Sequence, residues 1–326
     1  MKNLEIKYLG LTLNNPIVVG SSGLTAHIEQ LVELEKAGAG AVVLKSIFEE
    51  QIAGEAYAMR YYTDSPDAAD YLGQYTQMHR LDEHLRLIRQ AKARCSMPII
   101  ASLNCVSAGQ WTAFAQKMEE AGADALELNV FLLPLDRDSN TEAIEQAYFD
   151  TVASVCRTVS IPVSVKIGSN FTNIPHIIQE LYFRGARGVV LFNRFFEPDI
   201  DVENMQMTAA PAFSDPSELR RVLRWLAIAS CRVDTLDYAA TTGIHSGPDA
   251  VKALLAGART VQICSAVYQQ GNGVIAQLKE YLCRWMTEHT FDRVEDLVGR
   301  MNYGRVIDPL AYERTQFMRH FAEREE

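Results

Sequence analysis

Five polar side chains stand where a packed core has no use for them. Lys45, Asn104, Asn129, Lys166 and Asn193 each close a short apolar run: AVVLK, IIASLN, ALELN, VSVK and VVLFN. Lysine is rarely buried without a partner, because its desolvation must be compensated. Each lysine could pair with a neighbouring carboxylate. The alternative is that both cations face an electron-rich ligand, with the asparagines supplying hydrogen bonds beside them. A third chemistry is a Schiff-base lyase or aldolase, in which a desolvated amine of Lys45 or Lys166 attacks a carbonyl. Two further segments point to phosphate. TTGIHSGPDAVKALLAG, from Thr241, has a glycine turn leading into a helix with Ser246 or Gly247 as its N-cap. TVQICSAVY, from Thr260, delivers Ser265 beside another helix start. Backbone N–H groups at such turns bind phosphate.

A repeated unit says which elements position these residues. AGAGAVVLKS (Ala37–Ser46), AGADALELN (Ala121–Asn129), RGARGVVLFN (Arg184–Asn193) and AGARTVQICS (Ala256–Ser265) share one design. A helical segment ends at glycine, and a β-rich run follows and ends in a polar residue. Glycine stops a helix by accepting the left-handed conformation, so the unit reads as a helix-to-strand junction of a parallel sheet. IVVGSS, IIASLN, VSVKIG and a less regular run at Leu236–Thr241 supply the other strands. Eight strands are expected, starting near Ile17, Ala41, Ile99, Ala125, Val163, Gly188, Leu236 and Thr260. Helical segments between them and no G-x-G-x-x-G after the first favour a (β/α)₈ TIM barrel over a doubly wound sheet.

Residues 1–326 are expected to form one domain. Leu4–Leu13 alternates around Gly10 and reads as a hairpin closing the barrel bottom. Gln51–Met78 and Phe195–Pro216 interrupt the rhythm after strands two and six, as lids or extra strands do. The first holds Tyr57, Tyr61, Tyr62, Tyr71 and Tyr75, which pack the loop onto the barrel or face a ligand. In a TIM barrel the chemistry lies at the C-terminal strand ends. That places Ser22, Gly23, Lys45, Ser46, Asn104, Cys105, Asn129, Lys166, Asn193, Thr242, Gly243, Cys264 and Ser265 around one mouth.

Composition narrows the partners. Lys and Arg number 31 against 41 Asp and Glu, a net charge of −10, which offers no footprint for nucleic acid. No run approaches the roughly 20 apolar residues of a membrane helix, and the N-terminus has no apolar signal core. Six scattered cysteines without a CxxC pair argue against a disulfide framework and a zinc site. The expectation is a soluble, cytoplasmic, metal-free protein acting on a small molecule, with a homodimer as the default assembly.

With these pieces placed, the sequence resembles the class 1 dihydroorotate dehydrogenases, FMN enzymes on a (β/α)₈ barrel of pyrimidine biosynthesis. The resemblance runs from about Leu4 to about Leu282. NNPIVVGSSG, GAGAVVLKS, ELN, SVKIG, the Asn193 strand end, TTGIHSGPDA and VQICSAVY carry it, in order and at strand ends. It implies a CH–CH oxidoreductase with FMN. Ser22 and Gly23 would lie along the flavin edge, and Lys45 near the ring and the substrate carboxylate. Asn129 and Asn193 would hydrogen-bond flavin or substrate, and Lys166 would offset negative charge at the N1–C2 carbonyl side. Thr242, Gly243, Cys264 and Ser265 would hold the phosphate; Ser46 and Asn104 belong to the same cofactor-binding set.

The departures fall on the substrate side. The family carries Asn-x-Ser-Cys-Pro-Asn after strand four, and its Cys is a catalytic base; this chain reads Asn129-Val130-Phe131-Leu132-Leu133-Pro134. The family's Asn-Ser-Met-Gly-Leu after strand two is replaced by Ala68-Ala69-Asp70-Tyr71-Leu72-Gly73. Arg194 stands where Ser is expected, and Thr242 replaces one glycine of the phosphate turn. Cys105 is the substitute base within one strand, and Asp136 or Ser139 serve only if their loop folds inward. A different small substrate, or a flavin-binding protein without catalysis, fits the same pattern. The electron acceptor is open.

Overall fold

The chain begins with an antiparallel hairpin, β1 (Ile6–Tyr8) and β2 (Leu11–Leu13), with Ile6 opposite Leu13. Its two-residue turn holds Leu9 at φ 54° and Gly10 at φ 76°, the mirror-image geometry that matches strand twist. The Leu9 N–H donates to Asp237 Oδ2 at 2.6 Å, and Asp237 Oδ1 pairs with Arg259 Nε at 2.7 Å. One carboxylate thus ties the hairpin to the barrel floor. The computed structural model describes residues 2–48, 66–105, 108–130, 132, 134–194 and 197–313.

The barrel strands are β3 (Ile17–Val19), β4 (Ala41–Val43) with its short continuation β5 (Ile47–Phe48), β6 (Ile99–Cys105), β7 (Ala125–Val130), β8 (Val163–Ile167) and β9 (Gly188–Leu191). After an antiparallel hairpin, β10 (Pro198–Asp201) and β11 (Gln206–Ala209), come β12 (Asp237–Thr241) and β13 (Thr260–Ile263). All barrel pairings are parallel. The ring closes where β13 pairs with β3 and β4 with β6. The eight starts agree with the sequence expectation to within a residue.

Helices wrap the ring: α1 (Ile28–Lys36), α2 (Pro66–Arg94), α3 (Ala108–Glu120), α4 (Thr141–Thr158), α5 (Ile174–Phe183), α6 (Leu219–Arg232) and α7 (Gly247–Ala256), followed by α8 (Ser265–Gln270) and α9 (Gly273–Glu288). The repeat's glycines, Gly38, Gly122, Gly185 and Gly257, all take positive φ, as the helix-to-strand turn requires. No helix among the described residues is long and apolar enough to cross a membrane.

Two segments read as irregular are better defined. The stretch Gln51–Met78 is not all loop: α2 begins at Pro66 and contains Ala68–Gly73. Proline suits the first helical turn, where its missing N–H has no acceptor to serve. Tyr57, Tyr61 and Tyr62 lie outside the described residues, as do the side chains of Tyr71 and Tyr75. The stretch Phe195–Pro216 holds the added strands β10 and β11.

Side-chain alternation divides the core. Outward residues such as Val42, Leu103, Leu126, Val165, Val189 and Ile263 pack against the helices. Inward residues near the floor, including Val18, Val43, Ile100, Ala125 and Val190, join the hairpin's Ile6, Tyr8 and Leu13. Above that layer the inward positions turn polar: Ser102 and Asn104, Glu127 and Asn129, Ser164 and Lys166, Thr241, Gln262. The apolar plug therefore fills the lower barrel, and the polar residues rise toward the C-terminal mouth.

Candidate active site

Register puts the strand-end residues at one height. Asn104 faces Asn129 across β6 and β7, and Asn129 faces Lys166 across β7 and β8. Asn193 follows β9 and donates from Nδ2 to Asn129 Oδ1 at 2.8 Å. Asn104 is buried, and its Oδ1 has no partner. An unpaired buried carbonyl costs about 1–3 kcal/mol, so it marks a place for a donor.

A cleft of about 420 Å³ opens at Lys166 and Asn193, between the ends of β3, β8, β9, β12 and β13; Asn104 and Asn129 stand beside it and do not line it. Of the expected site residues, Ser22, Lys166, Asn193, Thr242, Gly243, Cys264 and Ser265 line it. Others support its wall. Ser46 donates its N–H to Ser21 Oγ at 3.0 Å, and its hydroxyl lies 2.6 Å from Ser102 Oγ, a buried hydroxyl relay behind the cleft. A side chain at Gly23 would meet the Tyr268 hydroxyl at 2.7 Å. Lys45 closes β4 with an exposed side chain and does not line the cleft. Cys105 ends β6 opposite Val130; its side chain lies outside the described residues.

The phosphate turn is built by close packing. Thr242 and Gly243 hold φ of 74° and 76° in succession. A Cβ on Gly243 would sit 2.4 Å from the Leu219 backbone nitrogen, so only glycine fits there. Ser246 caps α7 as expected. Its first turn is occupied by its own chain, however: Asp249 Oδ2 accepts from the N–H groups of His245 and Ser246 and from Ser246 Oγ. The donors nearest the cleft therefore belong to the strand-end turns rather than to the start of α7.

The end of the Phe195–Pro216 segment, read from the sequence as a lid or extra strands, forms a strap over this end. Ser214 N–H donates to Ser265 Oγ at 3.0 Å, and Gly243 N–H donates to Ser214 Oγ at 3.3 Å. Ser214 Oγ also lies 2.9 Å from His245 Nε2. Arg194 holds the strap down through bonds to the carbonyls of Pro211 and Ala212 and an ion pair with Glu218. This is the role Arg194 has in place of the expected serine. Phe213 and Tyr268, with ring centroids 5.5 Å apart, flank the opening. The docking of Pro211 through Phe213 carried no signal, because contacts across the mouth have no sequence period.

Gln262 lines the floor of the cleft and Glu127 lies behind it, each 1% exposed, with Gln262 Nε2 donating to Glu127 Oε2 at 2.6 Å. Burial pushes the Glu127 carboxyl up, while the Lys166 ammonium and the Gln262 amide pull it back. Burial likewise raises the Cys264 thiol against the pull of Lys166. The alternation of polar residues along ALELN and TVQICS was the available signal for Glu127 and Gln262.

On the substrate side, Val130 is buried and Leu132 half-buried, its N–H bonded to Tyr148 OH. Leu135 is 88% exposed. Asp136 is exposed and accepts from the Asp138 N–H in its own turn, and Ser139 is exposed as well. Neither turns inward. Phe131 and Leu133 lie outside the described residues.

Residues 3–286 match the family described as dihydroorotate dehydrogenase. The chain belongs to that family. It is 28% identical over 309 residues to a dihydroorotate dehydrogenase B (NAD(+)) catalytic subunit from Thermoplasma volcanium, covering 92% of this chain and 98% of that one. It is 27% identical over 312 residues to a putative dihydroorotate dehydrogenase A (fumarate) from Aeropyrum pernix, covering 91% and 96%. The Escherichia coli K12 NAD-dependent dihydropyrimidine dehydrogenase subunit PreA is 24% identical over 323 residues, covering 92% of this chain and 77% of its own. These relatives are dehydrogenases, and this member of the family is an oxidoreductase.

Proposed function

We propose that this protein is an FMN-dependent oxidoreductase acting on a CH–CH bond of a small polar substrate, with an altered proton-transfer side. The carrying observation is Lys166: it lines the cleft and, among the described residues, makes no ion pair or hydrogen bond of its own. A half-buried cation that faces an open cleft suits an anionic or electron-rich ligand. The cleft's volume suits a cofactor, and it offers a tight glycine turn and the unpaired side-chain carbonyl of Gln262.

When bound, FMN supplies the acceptor for the hydride. The chain's own residues would divide the rest. The Thr242–Gly243 and Cys264–Ser265 turns would hold the phosphate, with the Ser214 strap shielding it from water. Ser22 and Gly23 would border the ring. Asn129, oriented by Asn193, and Asn104 would hydrogen-bond ring or substrate. Lys166 would offset the negative charge that grows at the ring, which favours electron transfer into the site. Lys45 would attract an anionic substrate from the mouth.

Removal of a proton from the neighbouring carbon requires a base within hydrogen-bond reach. Val130, Leu132 and Pro134 provide none. Dihydroorotate oxidation is therefore expected to run slower by about 10²–10⁴-fold than a typical ~10 s⁻¹ turnover. The test is to denature the purified protein, identify the released chromophore by mass, and measure dihydroorotate turnover with several acceptors. FMN at one equivalent with slow turnover agrees with this reading. FAD, or a colourless protein trapped with substrate by borohydride, would replace it with another chemistry.

A further inference from the structure

The interior of the barrel just below the cleft holds an unfinished hydrogen-bond set. Glu127 on β7 and Gln262 on β13 reach toward each other across the barrel, joined by one bond of 2.6 Å. Their other oxygens, Glu127 Oε1 and Gln262 Oε1, are buried and have no partner. Lys166 on β8 carries three N–H donors and spends none of them on a described residue. Its ammonium is the cation that acts on the Glu127 carboxyl. Register places Lys166 beside Asn129, two residues above Glu127 on the same inward face. The remaining charged or titratable neighbours of Glu127 are Tyr8 from β1 and Cys264 after β13. Neither is a cation, although the Tyr8 hydroxyl is also buried without a partner.

Two orphan acceptors lie under the Lys166 ammonium, the one cation beside them among the described residues, and a buried polar group without a partner costs about as much as a lost hydrogen bond. We infer that Glu127, held in place by Gln262, is the positioning residue and counter-charge of Lys166, forming a lower station for its ammonium beneath the cleft. The ammonium then has two places to go: down to Glu127 Oε1 and Gln262 Oε1, or up to a ligand. Negative charge arriving in the cleft draws it upward. Glu127 restrains it, and so sets how much of the cation a bound ligand receives. This inference rests on the flavin reading for its functional consequence, though not for the pairing itself.

The test therefore has two arms. The first uses the protein without flavin. Limited acetylation followed by peptide mass analysis reads the reactivity of the Lys166 amine. Glu127→Gln removes the charge that draws the ammonium down, so the amine stands more often in the open cleft. Its acetylation should rise several-fold, with Lys45 as an unchanged control. Glu127→Asp keeps the charge, withdraws it by one methylene, and should give a smaller rise; it also serves if Glu127→Gln does not fold. Unaltered Lys166 reactivity in the folded variants would overturn the pairing.

The second arm measures the flavin midpoint potential. Lys166→Met should lower it, because charge at the ring loses its cation. Glu127→Gln should raise it, because the cation is released toward the ring. In a Lys166→Met background Glu127→Gln should be silent. An equal rise with and without Lys166 would show that Glu127 acts on the flavin directly, and would overturn its role through the lysine. If the wild-type protein binds no FMN, the flavin reading fails, and the acetylation arm still decides the pairing.

Discussion

Thr242 is one of two threonines, with Thr290, that depart from a low-energy backbone among the described residues. Its φ of 74° lies in the left-handed region, where a β-branched side chain is a genuine outlier. The hydroxyl makes only a long bond, 3.4 Å, to the Phe192 carbonyl. The neighbouring Gly243 is dictated by its contact with Leu219, but nothing comparable dictates a threonine at 242. Left-handed strain costs about 1–3 kcal/mol, and a glycine there would give back about 0.5–1 kcal/mol through its freer unfolded state. Thr242→Gly is therefore expected to stabilise the protein by about 1 kcal/mol in urea denaturation. A loss of stability instead would mean that the bond to Phe192 outweighs the strain.

Elements are joined by a device that recurs in two β-α units. Glu35 near the end of α1 accepts from the N–H groups of Ser96 and Met97 and from Ser96 Oγ, at 2.6–2.8 Å. Glu119 near the end of α3 accepts from Ser160 and Ile161 at 2.8 and 3.1 Å. Each glutamate stands three residues before its repeat's glycine (Gly38, Gly122), and each fastens a helix end to the segment leading into a strand, β6 or β8. Partial burial disfavours the Glu35 anion, but the Ser96 and Met97 donors outweigh it and hold the carboxyl below its ordinary 4.5. A depressed folded value means stability that is present above the unfolded value and lost as pH falls through the folded one. Glu35→Gln should cost about 1 kcal/mol at neutral pH, after discounting for solvent screening. The gap to wild type should close on acidification below the ordinary carboxylate range. Denaturant titrations in steps down to about pH 3 would read it, and a gap independent of pH would refute the ionic origin.

At the scale of the whole molecule, the barrel divides into a sealed floor and a polar mouth. The hairpin, Asp237 and the inward aliphatic layer close the bottom, while strap, turns and strand ends surround the cleft above. A ligand that engages both the ring-facing residues and the phosphate turns links most of the strands at once. FMN at about 100 times its dissociation constant should add about 2.7 kcal/mol, raising the melting temperature by roughly 4 °C. Riboflavin, which lacks the phosphate, should do far less in the same thermal scan. Equal shifts from the two would remove the phosphate role assigned to Thr242, Gly243 and Ser265.

The eight strands, their order and the polar residues at their ends were legible in the amino-acid sequence. Each rests on a local rule: glycine stops a helix, alternation of two marks a strand face, and a parallel barrel exposes its C-terminal strand ends. Asn104, Asn129, Lys166 and Asn193 could be placed at one height for that reason. The tertiary structure alone decided which of the strand-end residues share a cleft. Lys45 and Lys166 end neighbouring kinds of strand and look equivalent as sequence, yet one is exposed and the other lines the cavity. The Ser214 strap, its Arg194–Glu218 fastening and the Glu127–Gln262 bond join residues 24 to 135 positions apart. Such contacts depend on how strands are staggered around a closed ring, and no short-range periodicity encodes that stagger.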